Sequence, residues 1–344
     1  MKVIIATSIT PFVFGGATLI VDWLVEALEN RGHEVETYRI PVHGDAASLP
    51  AQLVGLRQWD FTGHGDRLIA IRTPSHLVRH HSKVVWFLHH HRAAYDLFDR
   101  YPQVKDDADG REFRRMLFAS DDVALGECEG VFVNSAAMAG RLSDYNGING
   151  EVLYPPLGES LTFDSGPFED TLVYVSRVVD HKRQLLAVQA VAETRNPVKL
   201  VLAGSDAGSG YAMKIFAEID RLGVGNRVAF MHTVISERTK RSLLTDALGV
   251  VYIPLREDSY GFAGLEAVAA GKPIVTTADS GGVLELVKDG VNGIVCAPTS
   301  VELAAAFDRL YEDRALAQDL GAAQRQRVEA LNISWDHVIE RLLA

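Results

Sequence analysis

Short runs of Val, Ile and Leu alternate along the chain with longer stretches in which apolar residues recur every three or four positions. That alternation predicts β-α-β units on parallel sheets. The apolar runs fall at 2–8, 33–40, 59–63, 84–89, 131–135 and 152–154. The rhythm breaks at Pro155-Pro156 and the polar stretch 162–170, then restarts at 171–176, 198–203, 227–231, 249–253, 274–277 and 293–296. Two sheets in series are expected, a first domain over 1–157 and a second over 158–333. A capped amphipathic helix over 334–344, bearing Trp335, Val338, Ile339 and Leu342, is expected to pack back on the first. The helix after the first strand is well specified, because Leu19, Trp23, Ala27 and Leu28 share one face and Gly32 stands where a C-terminal cap belongs.

A length of 344 residues suits two domains, each able to bury its own core. The net charge of -11 argues against general nucleic-acid binding, so any anionic ligand must be held locally. The 2 cysteines, Cys128 and Cys296, have no metal-site or disulfide-framework spacing. The absence of a leader-like start and of a long apolar span leads to the expectation of a cytoplasmic protein.

In doubly wound sheets ligands sit at the carboxyl ends of strands, so candidate chemistry is sought there. Gly15-Gly16 ends the first strand and opens a helix, which suits an anion or simply a tight turn. Arg177 and Lys182 follow the first strand of the second domain, and two cations there suit a diphosphate or a solvated loop. Between 254 and 267 a strand runs into a helix, with Asp258 in the loop and Glu266 eight positions later on the helix. A loop carboxylate suits sugar hydroxyls and a helix carboxylate suits a ribose diol, while the amides of Phe262 and Ala263 beside Gly261 suit ligand oxygens. The plainer reading makes Asp258 a helix cap and Glu266 an exposed helix residue. The run 84–88 leads into His89, His90 and His91, followed by Arg92; adjacent histidines do not make a compact metal site, and no metal is expected. Gly204, and Asp279-Ser280-Gly281-Gly282 before Glu285, are further strand-end turns.

Arg177 with Lys182, the segment from Asp258 to Glu266, and Asp279-Ser280-Gly281-Gly282 with Glu285 together resemble the retaining glycosyltransferases of family 4. Gly15-Gly16, His89, Asn134-Ser135 and the Trp335 helix fall in that family's order. The resemblance implies an α/β GT-B architecture, two Rossmann-like domains whose parallel sheets face an interdomain cleft. It implies that the second domain binds the nucleotide, the first largely takes the acceptor, and the diphosphate is bridged between them. Arg177 and Lys182 then match the diphosphate-binding positions and Glu266 the ribose-binding glutamate. Asp258 takes the place of a glutamate set against the transferred sugar; being one methylene shorter, it leaves Glu257 as an alternative. His89, then His91, would lie near the reacting sugar, with Asn134 and Ser135 in its vicinity. Gly15, Gly16, Gly204, Gly261, Phe262 and Ala263 would line the donor.

The expected activity is transfer of a hexose-type sugar from a nucleotide diphosphate sugar to a saccharide, lipid or small-molecule acceptor, with no metal and no other cofactor. A lipid acceptor would bring peripheral membrane contact. The nucleotide base would be met by backbone groups near 232–235, and acceptor loops are expected at 12–14, 42–52 and 96–115. A non-catalytic or epimerase-like nucleotide-sugar protein of the same fold is the nearest alternative. An NAD-dependent dehydrogenase, suggested by Gly204, Gly208 and Gly210, is remote, because the first strand lacks GxGxxG after it and the second ends Tyr38, Arg39, Ile40 without an acid.

Overall fold

A computed structural model of the chain describes residues 1–12, 15–98, 104–164, 166–206 and 208–344. They form two units, Met1–Glu159 with Ile333–Ala344, and Ser160–Asn332.

In the first unit the elements run β1 (Lys2–Ile9), α1 (Gly16–Asn30), β2 (Glu34–Pro41), α2 (Leu49–Arg57), β3 (Arg67–Ile71), β4 (Lys83–Phe87), α3 (Ala108–Gly126), β5 (Gly130–Val133), α4 (Ala136–Asn146) and β6 (Glu151–Val152). The strands pair in parallel in the order β2-β1-β3-β4-β5-β6, so the winding reverses between β1 and β3. Every residue of β3 and β4 is buried, as a sheet covered by helices on both faces requires. That includes Lys83, whose ammonium satisfies itself on the carbonyls of His76 and Val78 at 2.8 and 3.1 Å.

One strand expectation fails. Residues 59–63 form a turn, not a strand: Asp60 accepts the Thr62 N–H at 2.9 Å, and Gly63 and Gly65 take φ of 87° and 68°. The true third strand, β3, opens on a charged residue and so lacks the alternation that marks half-buried strands. Its Arg67 is buried and bonds Glu129 at 2.5 Å.

The second unit runs β7 (Thr171–Val175), α5 (Gln184–Glu193), β8 (Lys199–Ala203), α6 (Tyr211–Leu222), β9 (Val228–Met231), α7 (Glu237–Thr245), β10 (Gly249–Val251), α8 (Phe262–Ala269), β11 (Ile274–Thr277), α9 (Val283–Leu286), β12 (Gly293–Cys296), α10 (Ser300–Glu312) and α11 (Arg314–Ala330). Its parallel order, β12-β11-β10-β7-β8-β9, places the reversal between β7 and β10. Loops after β7 and β10 therefore diverge around one crevice, where ligands of such sheets bind.

The last helix, α12 (Trp335–Leu343), belongs to the first unit. Ser334 caps it through the His337 N–H, the Trp335 indole donates to the Leu157 carbonyl at 2.7 Å, and its ring meets Trp86 edge to face at 6.3 Å. Burial of Trp335, Val338, Ile339 and Leu342 is worth roughly 1.5–3 kcal/mol for each large side chain.

Candidate functional site

After β7 the chain turns out of the sheet with Arg177 exposed; among the described residues its guanidinium makes no hydrogen bond or ion pair. A short 3-10 turn over Asp180–Lys182 then carries Lys182 inward, to 5% exposure. Its ammonium donates to the Tyr252 hydroxyl at 2.7 Å, lies 4.9 Å from that ring's centroid, and forms an ion pair with Glu257. The carboxylate next to Asp258 thus rests on the ammonium expected to hold a diphosphate.

Arg183 takes φ of 56° and reaches across the strand ends. It grips both oxygens of Asp279 at 2.8 and 2.9 Å and the carbonyls of Ile253 and Pro254 at 2.7 and 2.9 Å. Burial works to raise the Asp279 carboxyl, and the bidentate guanidinium outweighs it, leaving it below the usual carboxylate range. The loops after β7, β10 and β11 are tied together by this one side chain.

The helix α8 starts after Gly261, which serves as its N-cap with φ of 70° and no side-chain cap. Asp258 is therefore not the cap; it is a buried carboxylate in the approach to the helix. A Cβ on Gly261 would fall 2.5 Å from the Tyr252 hydroxyl, so glycine is needed where the loop passes the tyrosine. Phe262 and Ala263, half-buried, form the first turn. Glu266 is 4% exposed rather than on the solvent face, and its Oε1 accepts from Lys240 on α7 at 2.5 Å. Burial pushes the Glu266 carboxyl up, and Lys240 pulls back against it without prevailing. The residue numbering alone did not point to Lys240.

The other glycine turns are largely spent on the protein itself. A Cβ on Gly204 would sit 1.8 Å from the Ser176 carbonyl oxygen, so this glycine allows β8 to leave the sheet beside β7. Asp206 takes the N–H groups of Gly208, Gly210 and Ala212, and His232 Nε2 lies 3.1 Å from it. The amides a dinucleotide would need at Gly208 and Gly210 are thus consumed. Gly282 donates its N–H to the Glu257 carbonyl at 2.9 Å, which closes the loop after β11 onto the loop after β10.

In the first unit Gly15 caps α1 in an extended conformation without a side-chain bond, and Gly16 is the first helical residue. Space beside Gly15 is open, Phe12 is exposed, and Val13 and Phe14 lie outside the described residues. Strand β4 ends at Phe87, so the alternation that would set His89 and His91 on one side does not continue through them. His89 is half-buried and its Nδ1–H donates to the His90 carbonyl at 2.8 Å. His91 Nε2 instead donates to the Gly44 carbonyl at 2.7 Å, with its ring edge-on to Phe113 at 5.7 Å, a tie that holds a loop. His90 is buried, bonded to Asn146 at 2.8 Å and stacked on Tyr95 at 4.2 Å; burial lowers its pKa to about 4. Ser135 caps α4 by accepting the Met138 N–H at 2.9 Å, while Asn134 keeps a buried Oδ1 with no hydrogen-bond partner among the described residues.

Among the described residues no cluster of three or more His, Cys, Asp or Glu groups has the geometry of a metal site, and no helix is long and apolar enough to cross a membrane.

Residues 164–327 match the family described as glycosyl transferases group 1. A D-inositol 3-phosphate glycosyltransferase of Mycobacterium marinum is 30% identical over 247 residues, 70% of this chain and 50% of the relative. An alpha-1,3/1,6-mannosyltransferase of Dictyostelium discoideum is 29% identical over 216 residues, 52% of this chain and 50% of the relative. The chain spans about half the length of these curated relatives. Among solved structures, Alr3699/HepE of Anabaena, in complex with UDP and glucose, superposes with a TM-score of 0.71 at 17% identity over 99% of this chain and 98% of that one. A sucrose-phosphate synthase of Thermosynechococcus elongatus gives 0.76 at 19% identity over 98% and 97%. The fold is GT-B, two Rossmann-like units in series.

Proposed function

We propose that the chain, whose residues 164–327 match the glycosyl transferases group 1 family, is a retaining glycosyltransferase moving a hexose-type sugar from a nucleotide diphosphate sugar, without a metal. The observation that carries this reading is the juxtaposition, at the reversal between β7 and β10, of an exposed arginine, a buried lysine and two buried carboxylates. Arg177 and Lys182 meet the diphosphate, Glu266 the ribose and Asp258 the sugar. UDP in solved structures of the same fold supports a nucleotide there, and makes uridine the first base to try.

The costly step is separation of the anomeric carbon from the diphosphate, which builds negative charge on phosphate and positive charge on the sugar. Fixed cations stabilise that charge without reorganising. A glycosidase-like double displacement needs a nucleophilic carboxylate about 5 Å from its acid partner. We assign attack to the leaving-group face instead, the departing diphosphate oxygen taking the acceptor's proton. His89 and the Gly15-Gly16 turn are assigned to the acceptor-bearing unit, whose acceptor is a saccharide, a lipid or a small molecule.

The test is a thermal-shift panel of UDP, GDP, ADP and dTDP with their hexose conjugates. A ligand at 100 times its Kd should stabilise the chain by about 2.7 kcal/mol. Glu266→Ala should abolish most of the shift. No shift with any member of the panel refutes the reading, as does isolation of a covalent sugar-enzyme adduct for its stereochemical part. Donor hydrolysis without acceptor, lost in Lys182→Ala, separates an enzyme from a binding protein of the same fold.

A further inference from the structure

Helix α7 places a lysine where its apolar stripe should continue. Its two buried residues are Lys240 and Leu244, one turn apart. Ser236 caps the helix through the Thr239 N–H, and Glu237 in the first turn holds the Lys240 ammonium at 2.8 Å. From there the ammonium reaches α8 and binds Glu266 Oε1 at 2.5 Å, with Lys240 only 8% exposed. Among the described residues Glu266 Oε2 makes no hydrogen bond. One oxygen of a buried carboxylate is thus fixed by the protein, and the other keeps its full acceptor capacity.

Placing a lysine in this stripe costs desolvation and side-chain entropy that a leucine would not. Without its cation a carboxylate so deeply buried is pushed further toward its protonated form, and a protonated carboxyl carries a donor of its own where hydroxyl groups must donate. Burial works to lower the Lys240 ammonium, and Glu266 and Glu237 outweigh it, leaving it firmly charged.

We propose that Lys240 is the positioning residue for ribose recognition: by holding Oε1 it keeps Glu266 ionised and in one orientation, so that Oε2 accepts the vicinal hydroxyls of the donor's ribose. This rests on the reading of the β7–β10 crevice as a nucleotide site. Lys240 acts through Glu266 and touches no substrate.

Calorimetric Kd values for UDP, GDP and ADP identify the tightest diphosphate, which is then compared with its 2′,3′-dideoxy analogue. Wild type should prefer the hydroxylated ligand by roughly tenfold to a hundredfold, the span of one to two charge-assisted hydrogen bonds. In Lys240→Met the preference should collapse to about threefold or less, while the dideoxy ligand binds within about twofold of wild type. Lys240→Gln keeps a polar head at shorter reach and should fall between, so it carries the test if the methionine variant does not fold.

A preference retained in both variants overturns the proposal. So does equal weakening of both ligands, which is what a merely structural lysine, or one contacting phosphate, would give. Wild type binding a diphosphate without hydroxyl preference removes the role of Glu266 and the proposal with it. Absence of binding by all three diphosphates removes the nucleotide-site reading itself.

Discussion

The strand ends of the two units solve different problems. In the second unit the loops after β7, β10 and β11 and the helices α7 and α8 are joined by buried or half-buried charge pairs: Lys182 with Glu257, Arg183 with Asp279 and Lys240 with Glu266. In the first, several of the corresponding polar groups are spent on main chain, beside the ion pairs of Asp96 with Arg92 and Arg141. Ser8 donates to the Thr73 carbonyl at 2.6 Å, His89 to that of His90 and His91 to that of Gly44. Paired charges keep a field oriented in a place water hardly reaches, which suits a charged ligand. Main-chain ties fix loop shape instead. The comparison teaches that the two units fix their strand-end loops by different means, which charge composition alone does not show.

The largest effect expected from breaking that contrast is on Lys182. Replacing it by Met should lower the rate of sugar transfer or donor hydrolysis on the order of a hundredfold to a thousandfold, measured as kcat at saturating donor. Circular dichroism should show the fold retained. A change below fivefold would mean that the charged unit does not carry the chemistry.

The next concerns the first unit and acid. His90 has a folded pKa of about 4 against an ordinary 6.5, so the unfolded chain binds the proton first. Its contribution is fully present above pH 6.5 and is lost as pH falls from 6.5 towards 4, by about 3 kcal/mol at most. Denaturant midpoints measured between pH 7 and 4.5 should fall for wild type and fall less for His90→Gln. Equal slopes would contradict the buried neutral ring.

The smallest effect sharpens the account of the charged unit. Glu257 and a ligand phosphate compete for the same ammonium, so Glu257→Gln should tighten binding of the free nucleoside diphosphate, by roughly tenfold. The same change should lower the stability of the ligand-free chain, because it leaves the Lys182 ammonium without its counter-charge. Weaker diphosphate binding would show that Glu257 instead supports the site.

Much of this was legible in the residues. Among the described residues eleven of the twelve strands follow from apolar runs, and the two-sheet organisation follows from the break at Pro155-Pro156. The twelfth, β3, was missed because Arg67 opens it and because 59–63, with Trp59 and Phe61, imitates a strand while its turn residues bend it. At the candidate site, Arg177, Lys182, Asp258 and Glu266 stand out through local spacing. Lys240 does not, because its partner lies 26 positions away on another helix. The signal that could have revealed it is a lysine four residues before Leu244 in the buried stripe of α7, a conflict between pattern and charge. Gly204 is ambiguous for a similar reason: a strand-end glycine looks alike whether it admits a ligand or a neighbouring strand.

The seam between the loops after β10 and β11 has a practical meaning for protein engineering. A Cβ on Gly281 would stand 2.4 Å from the Glu257 carbonyl oxygen, and one on Gly282 would stand 2.7 Å from Ser259 Cα. Neither segment can be exchanged by itself between relatives that differ in the other. A chimera meant to import a new donor preference must carry residues 254–262 and 279–282 together as one cassette.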